Sequence, residues 1–281
     1  QRQMCIRDSY PPYLWRDDKQ ERLAGNAPYA YGQTGVIARS GSVYAHDLMV
    51  EDALRWLNAH QREPFFLELA FTIPHLSLQV PDDSLAEYRG RWPETPVTDS
   101  KHYANHDTPR AAYAAMITRM DRDIGRVLDR LKTLGLDENT LVLFGSDNGA
   151  VFAVAGTDPD FFRSNGALRG YKQDLYEGGI RTPFLARWPG HTKPGATSDV
   201  IGAYWDILPT FCDLAGAPVP DGLDGLSIAP TLLGQPGQKV HEYLYWEYQS
   251  AGRAQAVRFG PWKAVRNNVN KAPDAQPELY N

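Results

Sequence analysis

The chain has 281 residues, of which 42% are hydrophobic and 22% are charged. This composition is typical of a globular protein and excludes a coiled coil, a collagen-like chain and a wholly disordered chain. No stretch approaches the ~18–20 apolar residues that a membrane helix needs. The formal net charge is -5, whereas nucleic-acid binders usually show a basic surplus. Two cysteines leave room for neither a disulfide framework nor a Cys-rich zinc site.

The first nine residues have no periodicity and lead into neither a strand nor a helix. The chain does not begin with Met, and no signal peptide is visible. We interpret residues 1–9, which include Cys5, as a non-native leader. From Tyr10 onward we expect a fragment of a longer protein.

An amphipathic helix and a buried strand are predicted next in the chain. Apolar residues recur every three or four positions over 47–61, and Asp47 is a suitable N-cap, so we predict a helix there. The apolar run at 65–71 predicts a strand buried on both faces. Many prolines follow, which indicates a loop from Pro74 to Pro96.

The clearest helical pattern runs over residues 109–134. Thr108 is the predicted N-cap, with Pro109 at the first helical position and Gly135 as a left-handed C-terminal cap. The middle of this helix carries a run of charged residues, which we interpret as a solvent-exposed face. These residues are Arg119, Asp121, Arg122, Asp123 and Arg126.

The second half of the chain alternates strands and helices. Strands are predicted at 140–144 and 183–188, and a helix at 204–215. Strand and helix alternation with short links favours an α/β fold, with a mostly parallel sheet flanked by helices. After about Gln238, aromatic-rich strands at 241–248 and 255–265 indicate a small antiparallel sheet.

Three polar features stand just after predicted strands, where α/β sheets bind ligands. Asp147 and Asn148, before Gly149, offer the hard oxygen ligands that Ca²⁺ or Mg²⁺ prefers. His75 is a candidate general acid or anion contact, and Lys172 a candidate point charge for an anion. Each feature also has an ordinary structural interpretation: a turn closing a strand, a loop histidine and a turn lysine.

Taken together, the three features point to one class of reaction. Two metal ligands, a histidine and a lysine at one edge of a sheet suit the transfer of a sulfuryl or phosphoryl group, whose anionic charge must be neutralised. Physical reasoning does not choose sulfur over phosphorus.

Four ordered motifs carry a family resemblance. They are S-D-N-G-A from Ser146, S-N-G-A-L-R-G-Y-K at 164–172, E-G-G-I-R-T-P at 177–183 and W-P-G at 188–190. This series closely resembles the formylglycine-dependent sulfatases of the alkaline-phosphatase-like superfamily, in the branch of the arylsulfatases and N-acetylgalactosamine-6-sulfatases. The resemblance implies a truncated catalytic domain over 10–237 and the start of a C-terminal subdomain over 238–281.

The resemblance also implies a role for each candidate residue. Asp147 and Asn148 match the downstream ligands of Ca²⁺, with Mg²⁺ the less favoured metal. Lys172 matches a lysine that contacts the sulfate, and His75 a histidine that assists the leaving oxygen. The implied substrate is a sulfated carbohydrate or an aryl sulfate, and the implied location of the parent protein is the periplasm or the outside of the cell.

The sequence departs from the family pattern at the nucleophile. The family's C/S-x-P-x-R motif, whose first residue becomes formylglycine, does not occur, and neither Cys5 nor Cys212 lies in such a context. The upstream aspartates, lysine and histidine of the family's site are also absent. We therefore expect formylglycine in the full-length parent only, and no turnover by the chain as printed.

A second departure is the apolar segment Val151–Ala155, where the family carries polar residues. It indicates an altered substrate subsite or a decayed site. Two alternatives to a sulfatase stay open. An upstream Thr or Ser nucleophile would favour a phosphodiesterase or phosphomutase of the same superfamily, and the apolar segment favours a non-catalytic relative that binds a sugar or an ion.

Overall fold

The structure is a computed structural model that describes residues 9–32, 35–38, 40–249 and 252–281. Cys5 and the rest of the predicted leader up to residue 8 lie outside the described residues. Ser9 is buried, and its carbonyl oxygen accepts a hydrogen bond from the Ala45 amide at 2.9 Å. Among the described residues, no helix is long and apolar enough to cross a membrane.

The chain divides into two compact units. The N-terminal unit holds the described residues up to Leu136 together with Val151–Phe162, and the C-terminal unit holds Asp137–Ala150 and Arg163–Asn281. The elements of the N-terminal unit are β1 (Tyr13–Arg16), β2 (Lys19–Arg22), β3 (Ala30–Gly32), β4 (Gly35–Ile37), α1 (Ala45–Ala59), α2 (Asp82–Ala86), α3 (Pro109–Thr133) and α4 (Pro159–Phe162).

The C-terminal unit contains two short 3-10 turns, helices and most of the described strands. Its elements are Asp137–Asn139 and Tyr204–Asp206 as 3-10 turns, β5 (Val142–Gly145), α5 (Glu177–Ile180), β6 (Phe184–Arg187), α6 (Ile207–Ala215), α7 (Ala229–Leu232), β7 (Leu244–Tyr248), β8 (Ala254–Phe259), β9 (Trp262–Arg266) and β10 (Glu278–Tyr280). The ladders between described strands are antiparallel, including β5 with β6.

The predicted helices are confirmed with small shifts at their ends. The helix predicted over 47–61 begins two residues earlier, so Asp47 lies in its first turn and is not the cap. Helix α3 starts at Pro109 and ends as predicted, with Gly135 at a φ of +71°. The Leu136 amide donates to the Leu131 carbonyl at 2.9 Å, which completes a Schellman cap.

Two local predictions were wrong. The segment 65–71 forms no strand, because no described strand pairs with it, although its residues alternate between half-buried and exposed. The segment from Pro74 to Pro96 is not a plain loop: residues 76–80 are buried in succession and α2 follows them. Leu78 and Val80 there pack on the small residues of α3 in one hydrophobic cluster. The alanines of α3 allow this close approach because they have only a methyl group.

The charged run on α3 is not an exposed face throughout. Arg119 is 7% exposed and Asp123 is 0% exposed, whereas Asp121 is exposed as predicted. Arg119 reaches Asp47 on α1, with its Nη2 2.6 Å from a carboxylate oxygen, and Asp83 on α2 at 3.0 Å. The prediction was wrong because the packing of α1 and α2 on α3 supplies partners for its charges, and buried charges persist when paired.

Asp123 occupies the deepest position in this set of charges. His46 Nε2 on α1 lies 3.1 Å from its carboxylate, and Arg122 and Arg126 donate to it at 3.0 and 3.1 Å. Burial alone would raise the pKa of Asp123, but the two arginines outweigh it and keep this pKa below its usual value. Burial lowers the pKa of His46 and so favours the neutral ring.

The antiparallel sheet predicted after about residue 238 is confirmed, and it contains the strands in the order β10-β9-β8-β7. The single strand predicted over 255–265 is a hairpin, β8 and β9, because Gly260 takes a left-handed φ of +54° and turns the chain. Trp246 and Tyr248 pack with Leu175 on one face of the sheet, while Tyr245 points away and is exposed.

Candidate active site

The S-D-N-G motif forms a loop directly after β5, as predicted. Ser146 Oγ donates to the Asn148 carbonyl at 2.9 Å, and Asn148 Nδ2 donates to the Gly149 carbonyl at 3.0 Å. Because Asn148 uses its amide nitrogen in this turn, its amide oxygen is the atom suited to a cation. Asp147 is exposed. Burial, followed by the negative charge of Asp147, raises the pKa of Tyr204, a neighbour that the sequence did not reveal.

The structure brings Lys172 to the same loop. The Lys172 amide donates to the Ala150 carbonyl at 2.7 Å. Asn165 joins the same two loops, because its Oδ1 accepts from the Ala150 amide at 3.1 Å and its Nδ2 donates to the Gly170 carbonyl at 2.7 Å. The two motifs are therefore one local structure, and the predicted proximity of Lys172 to the Asp147 loop holds at the level of the backbone.

The E-G-G turn at the start of α5 closes this structure. The Gly149 amide donates to the Gly179 carbonyl at 2.9 Å, and the Gly178 amide donates to the Arg169 carbonyl at 2.7 Å. A Cβ on Gly149 would lie 1.8 Å from the Gly178 carbonyl oxygen, and a Cβ on Gly178 would lie 2.2 Å from the Gly170 carbonyl oxygen. Glycine is required here because three backbone segments touch. We call residues 146–150, 165–172 and 177–179 the loop cluster.

His75 belongs to the N-terminal unit. Its Nδ1 lies 2.6 Å from the Leu76 carbonyl oxygen, and the ring is half-buried. Since a carbonyl only accepts, Nδ1 carries a proton in this contact. The association of His75 with the loop cluster stays a prediction.

The residues present fit part of a calcium shell. Asp147 and Asn148 supply hard oxygen donors of the kind that Ca²⁺ binds, but Ca²⁺ takes roughly 6–8 of them. The described part of the chain contains no group of three or more His, Cys, Asp or Glu side chains that could hold a metal ion. The loop cluster by itself is therefore an incomplete metal site.

The apolar segment after the S-D-N-G loop has a structural explanation. Val151, Val154 and Ala155 pack against the hydrophobic cluster of the N-terminal unit. Thr157 Oγ1 donates to the Val154 carbonyl at 2.7 Å and fixes the turn. Packing accounts for these three residues, whereas Phe152 is 42% exposed and Ala153 is also exposed.

Comparisons with known proteins identify the family of the chain. A family model described as Sulfatase matches residues 7–217, and one described as N-sulphoglucosamine sulphohydrolase, C-terminal, matches residues 170–271. Arylsulfatase A of Homo sapiens is 36% identical over 231 residues, which are 79% of this chain and 38% of that protein. N-acetylgalactosamine-6-sulfatase of Mus musculus is 31% identical over 238 residues, which are 83% of this chain and 41% of that protein.

A solved structure extends the comparison to the fold. The crystal structure of Ps i-CgsB in complex with k-i-k-neocarrahexaose is similar with a TM-score of 0.67 and 27% sequence identity, over 88% of this chain and 50% of that one. The architecture is thus the α/β, alkaline-phosphatase-like one, with an antiparallel sheet at its C-terminal side. The chain belongs to the sulfatase family. It spans about two fifths of the length of the curated relatives that it matches.

Proposed function

We propose that this chain carries the sulfate-contacting and calcium-contacting part of a sulfuric ester hydrolase that acts on sulfated glycans or aryl sulfates. The observation that carries the proposal is the loop cluster, in which backbone hydrogen bonds join the Asp147 loop to the Lys172 loop. Family membership supports the choice of sulfur over phosphorus. Arylsulfatase A and N-acetylgalactosamine-6-sulfatase, by their names, support the substrate classes.

Each candidate residue then has a definite task. Asp147 and Asn148 would hold part of the Ca²⁺ shell, which supplies positive charge beside the sulfate. Lys172 would bind a sulfate oxygen and neutralise the charge that develops there. His75, held by its Nδ1 contact with Leu76, would act in its imidazolium form, in which both ring nitrogens carry a proton, and would give the Nε2 proton to the oxygen of the leaving alcohol.

The nucleophile lies outside the printed sequence, which has no C/S-x-P-x-R motif. In the full-length parent, formylglycine would supply the attacking hydroxyl group. We further propose a catalytic domain over 10–237 and the start of a C-terminal subdomain over 238–281. The sheet of β7 to β10 supports the second of these. The family supports a periplasmic or secreted parent.

Recovery of the reading frame upstream of the Tyr10 codon, followed by an assay of its product, tests this proposal. We expect a C/S-x-P-x-R motif and Ca²⁺-dependent hydrolysis of a chromogenic aryl sulfate. Lys172→Ala is expected to reduce kcat by about 10²–10³-fold, since it removes charge stabilisation. The 281-residue chain is the control and should show no turnover. A frame without the motif, or a product that prefers phosphodiesters, would contradict the proposal.

A further inference from the structure

An ion pair between Glu177 and Lys263 connects the E-G-G turn to the C-terminal antiparallel sheet. Lys263 Nζ on β9 lies 2.7 Å from Glu177 Oε1, and Arg258 Nη1 on β8 lies 3.3 Å from Glu177 Oε2. The Lys263 side chain is 5% exposed and that of Glu177 is 26% exposed. Arg181, whose side chain is 67% exposed, approaches the same carboxylate at 3.8 Å from the solvent side.

The buried, charged ammonium group of Lys263 needs the Glu177 carboxylate as its partner. Its ammonium group lies 5.3 Å from the centre of the Trp246 ring, on the packed face of the sheet. Burial lowers the pKa of Lys263, and the Glu177 carboxylate opposes this shift. A charge in such a place is stable when its partner is present and costly when the partner is removed.

Glu177 is adjacent in sequence to the atoms that close the loop cluster. Gly178 donates to the Arg169 carbonyl, three residues before Lys172, and Gly179 accepts from the Gly149 amide. Glu177 thus connects the C-terminal sheet to both loops through only one or two residues of backbone. The two residues after Glu177, Gly178 and Gly179, have no side chains, whereas Tyr176 before it is held separately, by a hydrogen bond from its hydroxyl group to Glu278 at 2.6 Å.

We propose that the Lys263–Glu177 ion pair is a positioning element of the anion site. It fixes the E-G-G turn, and through that turn it sets the backbone of the Asp147 loop and of the Lys172 loop. Neither residue contacts substrate in this role. The inference rests on the proposed function for its consequence, sulfate binding, but its structural part is independent of that function.

The test compares two measurements on the 281-residue chain and its variants. Hydrogen exchange reports the protection of the Gly149, Gly178 and Lys172 amides, with amides of the β8–β9 ladder as the internal reference. Titration with inorganic sulfate reports affinity. Lys263→Met removes the charge, Lys263→Arg keeps it, and Arg181→Met is the matched control that removes an exposed partner of the same carboxylate.

In Lys263→Met we expect the three loop amides to lose protection by about tenfold or more, with the ladder amides unchanged. Sulfate affinity should fall by about tenfold or more, because displaced binding groups lose their geometry. Lys263→Arg should restore both properties to within about threefold, and Arg181→Met should leave both unchanged.

Two results would overturn the proposal. One is a uniform loss of protection across loops and ladder together, which would show that the pair only stabilises the fold. The other is unchanged loop protection in Lys263→Met. If the unmodified chain binds no sulfate, the proposed function fails at this site, and the exchange data alone still decide whether the pair positions the loops.

Discussion

Asp123→Ala is expected to lower the free energy of unfolding by about 3 kcal/mol, because it breaks a buried, hydrogen-bonded charge network. The substitution leaves His46 Nε2 fully buried without its carboxylate partner. Arg122 and Arg126 also lose their shared acceptor, but their side chains are 47% and 39% exposed and turn to solvent at lower cost. Urea denaturation followed by circular dichroism measures the change.

Asp121→Ala is the matched control for this substitution. Asp121 lies two positions earlier on the same helix and is exposed, so its removal should change the free energy of unfolding by less than about 0.5 kcal/mol. Equal effects of the two substitutions would mean that the carboxylate of Asp123 contributes no more than a surface charge.

Gly149→Ala is expected to lower the free energy of unfolding by about 3 kcal/mol and to weaken sulfate binding. Its Cβ would lie 1.8 Å from the Gly178 carbonyl oxygen and 2.8 Å from the carbonyl carbon. These are backbone atoms, which cannot rotate aside as a side chain can, so the loop and the turn must separate. Separation would also lengthen the hydrogen bond from Gly149 to Gly179.

Gly125→Ala tests whether this effect is specific to the contact. Gly125 lies within α3, and a Cβ there meets no atom within 4 Å. Alanine favours a helix interior over glycine by about 1 kcal/mol, so Gly125→Ala should stabilise the chain slightly. A Gly149→Ala variant as stable as the unmodified chain would show that the loop cluster is less closely packed than described.

The sequence predicted those elements whose signals are local. The three-to-four spacing of α3 is continuous, and Gly135 marks its end, so both its existence and its end were predictable. The aromatic and apolar residues of β8 and β9 lead to the prediction of one strand, although Gly260 and Pro261 between them form a dipeptide that commonly marks a turn. The partners that α1 and α2 supply to Asp123 and Arg119 could not be predicted from local sequence. The burial of Asp123 did have a local sign, because it lies seven residues after Met116 on the buried face of α3, whereas Asp121 lies on the opposite face.

In the candidate site, too, the residues with local sequence signals were predictable and those with distant partners were not. The S-D-N-G loop and Lys172 were predicted because each follows a strand or a glycine-rich turn that can be seen in the sequence. Glu177 belongs to the E-G-G-I-R-T-P motif, but the sequence predicts no role for it, because its partner Lys263 is 86 residues away. Lys263 shares the buried face of β9 with Val265, and this burial, which only the structure shows, is the sign that the lysine needs a partner.

Binding of inorganic sulfate to the 281-residue chain is the most direct test of whether the loop cluster forms an anion site. We expect saturable binding in the millimolar range by calorimetry. Lys172→Ala should weaken it by about tenfold or more, as expected for loss of a charge-assisted contact. Lys193→Ala, a substitution of an exposed lysine outside the cluster, should have no effect. Equal sulfate affinity in the unmodified chain and in Lys172→Ala would contradict a role for this lysine in holding sulfate.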